Sequence, residues 1–558
     1  MPFREDDAAD KEICTTAALV LTNACLLHRR LRKEEGVFDG LTSLEDVAVE
    51  KHPAHDLKLA WRQILRRDYR PVFKPALAVA NVLDEYQNDP SKSALQKIVN
   101  QAVHQADKLS TLGYDYAGPL YHKVLKSAKS DGAFYTKNTS ALLLAGLALP
   151  PQNDTIWSDG ERVRDLKVID PACGTGTLLM AALSTIKRRS QTAQGDALDE
   201  QKLHKALVEN GIYGMDINAQ AIQMAASNLT FGATSVDYRQ MNLHTLPHGP
   251  QEDGSVKAGA LEILVHDQPR DLVDSLEEPT ALGEQVDGGR DVLFPERGFD
   301  LAIMNPPFTN NQDRGLKHGA DFKKVMGQHE LAIADMVLQR DGQVARDSIH
   351  SNSIGSYFEA IGHRLLDTKP GATLAMVLPI TKCTSASGEG ERKFLASAWR
   401  IDYLVVCHQN LAEGASPSSV GFTSNEKQFE CLLVARRKCE AEIAPSTKII
   451  HLDRHPRNEM ETANLLSAIE SGDINGWGLL SEWPVERIEE GDWSCVAFRD
   501  QQLMEAIDWL YEQPQLMKIQ GGGGCAQRKQ PRQGLRKKKG MMGANLNGGV
   551  LTSTFLKL

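Results

Sequence analysis

Residues 166–179 read Leu-Lys-Val-Ile-Asp-Pro-Ala-Cys-Gly-Thr-Gly-Thr-Leu-Leu. Leu166 to Ile169 predict a short strand that ends at Asp170. Pro171, Ala172 and Cys173 lead into Gly174 and Gly176, which permit a tight turn and close backbone approach to a ligand. A helix is predicted from about Thr177 to Arg189, with its N-terminus facing that turn. This is the layout of a nucleotide-type site at the carboxyl end of a parallel strand. Leu179 stands where the third Gly of a dinucleotide fingerprint would be, and no Gly-Lys-Ser/Thr follows to make a P-loop.

A second segment, Phe299-Asp-Leu-Ala-Ile-Met-Asn-Pro-Pro-Phe308, runs four apolar residues into a polar amide, two prolines and an aromatic ring. Leu301–Met304 predict a buried strand. The Asn305 side-chain oxygen and the carbonyl of Pro306 can accept both hydrogens of an exocyclic amine. Pro306 and Pro307 fix φ and remove competing donors, and Phe308 can stack on the plane that carries the amine.

Asp-Pro-x-x-Gly-x-Gly after one strand, followed downstream by Asn-Pro-Pro-Phe after another, resembles the S-adenosylmethionine-dependent N6-adenine DNA methyltransferases. The segment order is that of the gamma type, close to the modification subunits of type I restriction–modification systems, and the resemblance covers roughly residues 120–440. It implies a class I methyltransferase, Rossmann-like α/β fold with S-adenosyl-L-methionine as cofactor. It places the methionine end of the cofactor at Asp170, Pro171, Ala172, Cys173, Gly174 and Gly176, and the flipped adenine at Asn305, Pro306, Pro307 and Phe308. The family's upstream segment corresponds to Phe134, Tyr135 and Thr136, where Lys137 departs from the usual proline. Asp216 ends a second predicted strand (Gly211 to Asp216), where an acid commonly binds ribose hydroxyls; Ile217 follows it in the cofactor slot. Asn242 and Leu243 end a third predicted strand from Ser235, Asn242 standing where the family usually has Asp, at the adenine ring of the cofactor. The resemblance further implies double-stranded DNA as substrate, a specificity or other defence-system subunit as partner, no membrane, and a cytoplasmic enzyme.

Residues 371–379, 401–407 and 429–435 add three strands to the four above. Seven strands alternating with helices predict a mostly parallel, doubly wound sheet, with one antiparallel strand at or near its edge. The 40 residues between Gly176 and Asp216 exceed the usual spacing, and the polar stretch Gln191–Gln201 reads as an insertion. Residues 1–125 are predicted to form an N-terminal helical domain, from apolar spacing in Ala17–Leu31, Leu57–Ile64 and Pro75–Tyr86. Residues 126–440 form the catalytic domain, 441–520 a small C-terminal region, and 521–558 a basic flexible tail or a truncated or frame-shifted end. An acidic insertion at Pro247–Gly298 and a long segment at Thr309–Ser351 interrupt the catalytic domain; the latter is placed to close over a target base.

The chain has 558 residues, enough for about two to four domains, and a net charge of −10. Residues 521–558 hold eight basic residues and no acid, so the preceding 520 carry 55 basic residues against 73 acidic ones. An acidic body suits phosphate poorly, which points to a partner that supplies DNA grip. Local basic patches are Lys187–Arg189, Arg436–Lys438 and Arg528–Lys539. Nine scattered cysteines without a Cys-x-x-Cys pair suit a reducing compartment and no metal site. His451-Leu-Asp-Arg-His455 only imitates a metal cluster, and Cys173 reads as a small turn residue. No apolar stretch reaches the roughly eighteen residues of a membrane span. Asn-Pro-Pro-aromatic also serves methyltransferases acting on protein glutamine or RNA bases, and a non-catalytic DNA-binding subunit is a further reading; the helical N-terminal region favours a DNA enzyme.

Overall fold

The computed structural model describes residues 8–33, 40–109, 135–265, 298–307, 311–341, 355–366, 371–407, 422–438 and 446–496, apart from short gaps within them. The strands among these residues are β1 (Tyr135–Thr136), β2 (Val168–Asp170), β3 (Ile212–Asp216), β4 (Asn242–Thr245), β5 (His248–Pro250), β6 (Val256–Ala258) and β7 (Leu301–Met304). They continue with β8 (Thr373–Pro379), β9 (Trp399–Cys407), β10 (Thr423–Ser424), β11 (Glu430–Arg437), β12 (Ser446–Leu452) and β13 (Gly478–Pro484).

Nine of them form one sheet in the order β13-β12-β9-β11-β8-β7-β2-β3-β4. Neighbours from β8 through β4 are parallel. The chain leaves β2 toward β3 and β4 on one side and later returns as β7 and β8 on the other. The carboxyl ends of β2 and β7 therefore flank the point where strand order reverses, which is where open α/β sheets form a ligand crevice. β7 shows why the sheet is rigid there. Leu301, Ala302, Ile303 and Met304 are all buried, and each large side chain so buried contributes about 1.5–3 kcal/mol.

Two expectations are corrected. The sheet has nine strands among the described residues, not seven, because β12 pairs in parallel with β9 and β13 pairs antiparallel with β12. The antiparallel strand of the predicted seven is internal: β11 runs antiparallel between β8 and β9. Its residues Glu430–Ala435 are buried throughout, as a strand covered on both faces must be. This is a doubly wound, Rossmann-like sheet, lengthened at one edge.

The spacing between Gly176 and Asp216 is filled by a second helix, Glu200–Asn210, after the helix Thr177–Gln194. The start of the 309–351 segment is helical over Asn311–Asp341. Part of the acidic insertion forms the β5–β6 hairpin and a 3-10 turn at Gly259–Leu264, and buried Glu262 there pairs with His329 of the long helix at 2.7 Å.

Helices Ala8–Lys33, Leu44–Val49, Pro53–Leu65, Arg70–Glu85 and Asp89–Leu109 precede the sheet. They dock on the helix Ala219–Phe231 through buried amides as well as apolar contacts. Gln223 donates to the carbonyls of Val20 (3.1 Å) and Val72 (2.8 Å), and Asn23 donates to the Ser227 hydroxyl (2.8 Å). Buried amides need such partners, so these contacts fix how the helices sit on the sheet.

Two of the basic patches serve the fold. Arg189 is buried and donates to the carbonyls of Gly146, Leu149 and Pro150, while Lys187 pairs with Glu200 at 2.7 Å. Arg436 pairs with Asp402, Lys438 with Glu489, and Arg437 donates to the Leu366 carbonyl. Arg528–Lys539 lies outside the described residues. Among those described, no helix is long and apolar enough to cross a membrane.

Candidate active site

The turn after β2 is built by two acids. Asp170 Oδ1 accepts the N–H of Ala172 at 3.0 Å, which bends the chain directly after the strand. The N–H of Cys173 donates to the Met215 carbonyl of β3 at 2.8 Å. Gly174 and Gly176 take φ of +53° and +80°, the left-handed region that glycine enters without a Cβ penalty. Asp216 Oδ2 accepts the Gly174 N–H at 2.9 Å and its Oδ1 accepts the Asn218 N–H at 2.8 Å. Buried Asn228, on the helix Ala219–Phe231, donates to the Thr175 carbonyl at 3.0 Å. The turn is thus tied to β3 and to the next helix before any ligand arrives.

A Cβ on Gly176 would lie 3.0 Å from Ala225 Cβ, whereas one on Gly174 would meet nothing within 4 Å. Gly176 faces protein and Gly174 faces open space. Burial pushes the Asp170 carboxyl well above the usual carboxylate range; the Ala172 N–H pulls it back and the charge of Asp216 adds to the rise. No basic side chain contributes to that shift, so a ligand's positive centre would be strongly favoured beside it. Burial likewise pushes the Cys173 thiol well above its ordinary value, which makes it a packing residue rather than a nucleophile.

The second turn leaves the neighbouring strand. β2 and β7 pair with Val168 opposite Leu301 and Ile169 opposite Ala302. Asn305 therefore lies two residues beyond the level of Asp170 at the same edge, a separation of roughly 8 Å from strand spacing and rise. Asn305 Nδ2 donates to the hydroxyl of buried Thr136 at 3.0 Å. Asn305 Oδ1 is buried and makes no hydrogen bond among the described residues. Pro306 is buried and Pro307 half-buried. The structure thus brings Thr136, from the upstream segment, directly onto Asn305.

The third strand differs from expectation. β4 begins at Asn242, and the ladder sets Tyr213 opposite Asn242, Met215 opposite His244 and Asp216 opposite Thr245. Asn242 is three residues short of the carboxyl end and its Nδ2 donates to the Glu209 carbonyl at 3.0 Å. Leu243 is buried and packs toward Gly214. The strand thus runs further than expected: His244 and Thr245, not Asn242 and Leu243, end it beside Asp216. Burial lowers the His244 pKa to about 4, so the ring is neutral, and its Nε2 is buried without a hydrogen-bond partner. Nothing in the sequence sets the register of this strand; only pairing with β3 reveals it.

Ile217 is 44% exposed directly after Asp216, an apolar surface for a flat ring. Four features fit S-adenosyl-L-methionine: a buried carboxyl for a positive centre, open space over Gly174, the exposed Ile217 face, and the unpaired His244 nitrogen. Phe134 and Phe308 lie outside the described residues, and only the backbone of Tyr135 is described, in β1. Among the described residues no group of three His, Cys, Asp or Glu side chains could hold a metal ion; His451 is buried in β12 and the His455 ring packs 4.9 Å from Phe422.

Residues 108–339 match the family described as N-6 DNA Methylase. The chain is similar to the adenine-specific methyltransferase PglX of Streptomyces coelicolor, at 23% identity over a 285-residue alignment that covers 49% of this chain and 23% of that protein. The match thus spans less than a quarter of that relative. Among solved structures, the type IIG restriction endonuclease BpuSI is 13% identical with a TM-score of 0.48, covering 92% of this chain and 47% of that one. A modification subunit of a putative type I restriction enzyme from Vibrio vulnificus YJ016 is 13% identical with a TM-score of 0.47, covering 86% and 88%.

Proposed function

We propose that this chain, whose residues 108–339 belong to the N-6 DNA methylase family, transfers a methyl group from S-adenosyl-L-methionine to the exocyclic N6 amine of an adenine flipped out of double-stranded DNA. One observation carries the reading: Asn305 Oδ1 is a buried acceptor without a donor, on an amide whose nitrogen is committed to Thr136. Leaving such an acceptor unmade costs about 1–3 kcal/mol. A substrate N–H that reaches it removes that cost, so the site favours an amine.

The chemistry follows from the residues. The amine of adenine is a weak nucleophile because its lone pair is delocalised into the ring. Accepting its hydrogens at Asn305 Oδ1 and at the Pro306 carbonyl returns density to nitrogen and favours a tetrahedral geometry. The bound cofactor supplies an electrophilic sulfonium methyl. Asp170 and the Gly174 backbone hold the methionine end, Asp216 and Ile217 the nucleoside, and His244 the adenine. Holding two reactants in line is worth up to roughly 7–11 kcal/mol, so no covalent intermediate is required; the methylated amine is positively charged and strongly acidic, so it gives its extra proton to water without a strong base. Extruding the base costs a few kcal/mol, and stacking on Phe308 offsets about 1–3 kcal/mol of it.

The protein acts in the cytoplasm within a restriction–modification or related defence system, and a specificity or other defence-system subunit supplies much of the DNA grip. Two of its basic patches are spent on internal contacts, which supports the need for that partner. The test is sequencing for methyl-adenine in DNA from cells that express the chain alone and with its genomic neighbours, alongside transfer of labelled methyl to duplex DNA, RNA and protein. Label in DNA supports the reading; label only in RNA or protein refutes it.

A further inference from the structure

The Asn305 amide can present either its oxygen or its nitrogen to the substrate, and only the oxygen can accept from an amine. In the useful orientation the amide nitrogen needs an acceptor of its own. Thr136 is that acceptor, at 3.0 Å, and something must in turn hold Thr136.

Thr136 lies in β1, two residues long, which among the described residues pairs only with β10, also two residues long, with Tyr135 opposite Ser424 and Thr136 opposite Thr423. The Lys137 N–H adds one bond to the Phe422 carbonyl at 3.0 Å. A ribbon of that size has no stability of its own. It is pinned by Glu430, the buried first residue of β11, whose Oε2 accepts the Thr423 N–H at 2.8 Å while its Oε1 accepts the Thr423 hydroxyl. Glu430 is itself fixed in the main sheet opposite Pro379 of β8. Burial lowers the pKa of the half-buried Lys137 ammonium, and the charge of Glu430 raises it again.

We infer that this ribbon sets the orientation of the catalytic amide, with Glu430, Thr423 and Thr136 as positioning residues acting in series on Asn305. The inference rests on the methyl-transfer reading. It assigns Thr136 to the target-base side of the site, whereas a cofactor contact would place its effect on cofactor affinity.

The test compares wild type with Thr136→Val, Thr136→Ser and Glu430→Gln. Single-turnover transfer from tritiated S-adenosyl-L-methionine to unmethylated genomic DNA is measured at saturating cofactor, and cofactor Kd by calorimetry. Thr136→Val and Glu430→Gln are expected to slow transfer roughly ten-fold or more, the size of one lost hydrogen bond. Their Kd should stay within about two-fold of wild type, and Thr136→Ser should restore most of the rate. Loss of cofactor affinity with an unchanged saturated rate, or a valine variant equal to wild type, overturns it. A second readout needs no activity: the Asn305 side-chain amide protons, assigned by their absence in Asn305→Ala, should exchange with solvent faster in Thr136→Val than in wild type or Thr136→Ser. Equal exchange in all three overturns the inference; a wild type that transfers nothing to DNA overturns the functional reading and leaves this second readout to decide.

Discussion

The carboxylate of Asp216 accepts the backbone N–H of Gly174 at 2.9 Å, so the acid that ends β3 is part of the turn that follows β2. Its proposed hold on the cofactor ribose would work through this place in the glycine turn. Asp216→Ala should raise cofactor Kd by about ten-fold or more, since hydrogen bonds to a charged group are worth about 1.5–3 kcal/mol. Calorimetry reads the effect, and an unchanged Kd would refute the assignment.

The two glycines of the turn should fail differently. Both occupy the left-handed region, where an added Cβ costs about 1–2 kcal/mol. Gly176→Ala also pushes a methyl against Ala225, so its loss should appear as a lower melting temperature without ligand. Gly174→Ala enters open space, so its main loss should appear in cofactor affinity. Identical effects of the two substitutions on both measurements would contradict their assigned surroundings.

His244 should contact the cofactor as a neutral ring. With its pKa lowered to about 4 by burial, it does not titrate between pH 6 and 8. His244→Ala is predicted to weaken cofactor binding by roughly three- to ten-fold, one net hydrogen bond, and by the same factor at pH 6 and pH 8. Asn242→Ala should leave Kd nearly unchanged. The reverse pattern would restore Asn242 to the cofactor site.

Glu359 makes a stability prediction away from the chemistry. It is buried beside Lys382 (3.6 Å), which also pairs with Glu391 (3.0 Å). Burial raises its pKa from 4.5 to about 8, against the pull of Lys382 and with the push of Glu391. A folded-state pKa above the unfolded value means that its stabilising protonation is fully present below about pH 4.5 and is lost as pH rises through about 8, on the order of 1 kcal/mol per pH unit. Glu359→Gln keeps a neutral, isosteric group at every pH. Its stability should therefore gain on wild type as pH climbs from 5 to 9, followed by denaturant unfolding; a difference independent of pH would contradict the burial argument.

The parts of the site that lie on continuous stretches were legible in the sequence. Val168–Gly176 and Leu301–Pro307 each contain an apolar strand, its end and its turn, so Asp170, Gly174 and Asn305 could be named from local chemistry alone. Their meeting at one edge followed from both strands being parallel. What depends on pairing was not legible. Asn242 and His244 are two residues apart, and only the ladder with β3 decides which one reaches the edge. Thr136, Thr423 and Glu430 are joined across nearly 300 residues of chain. The internal place of β11 had a signal, the unbroken apolar run Cys431–Ala435, which suits a strand buried on both faces better than an edge. β12 and β13 carry polar residues along their lengths, so their membership in the sheet had none. Arg189 read as part of a basic patch because sequence does not show that its guanidinium reaches three backbone carbonyls.

The central claim is that the oxygen of Asn305 receives the substrate amine beside the cofactor turn. The most direct measurement is single-turnover methyl transfer to unmethylated duplex DNA by Asn305→Ala, with cofactor Kd measured on the same preparation. The expected result is a rate reduced by more than about a hundred-fold, as for loss of a preorganised catalytic hydrogen bond, with cofactor binding intact; methylation at the wild-type rate would contradict the account.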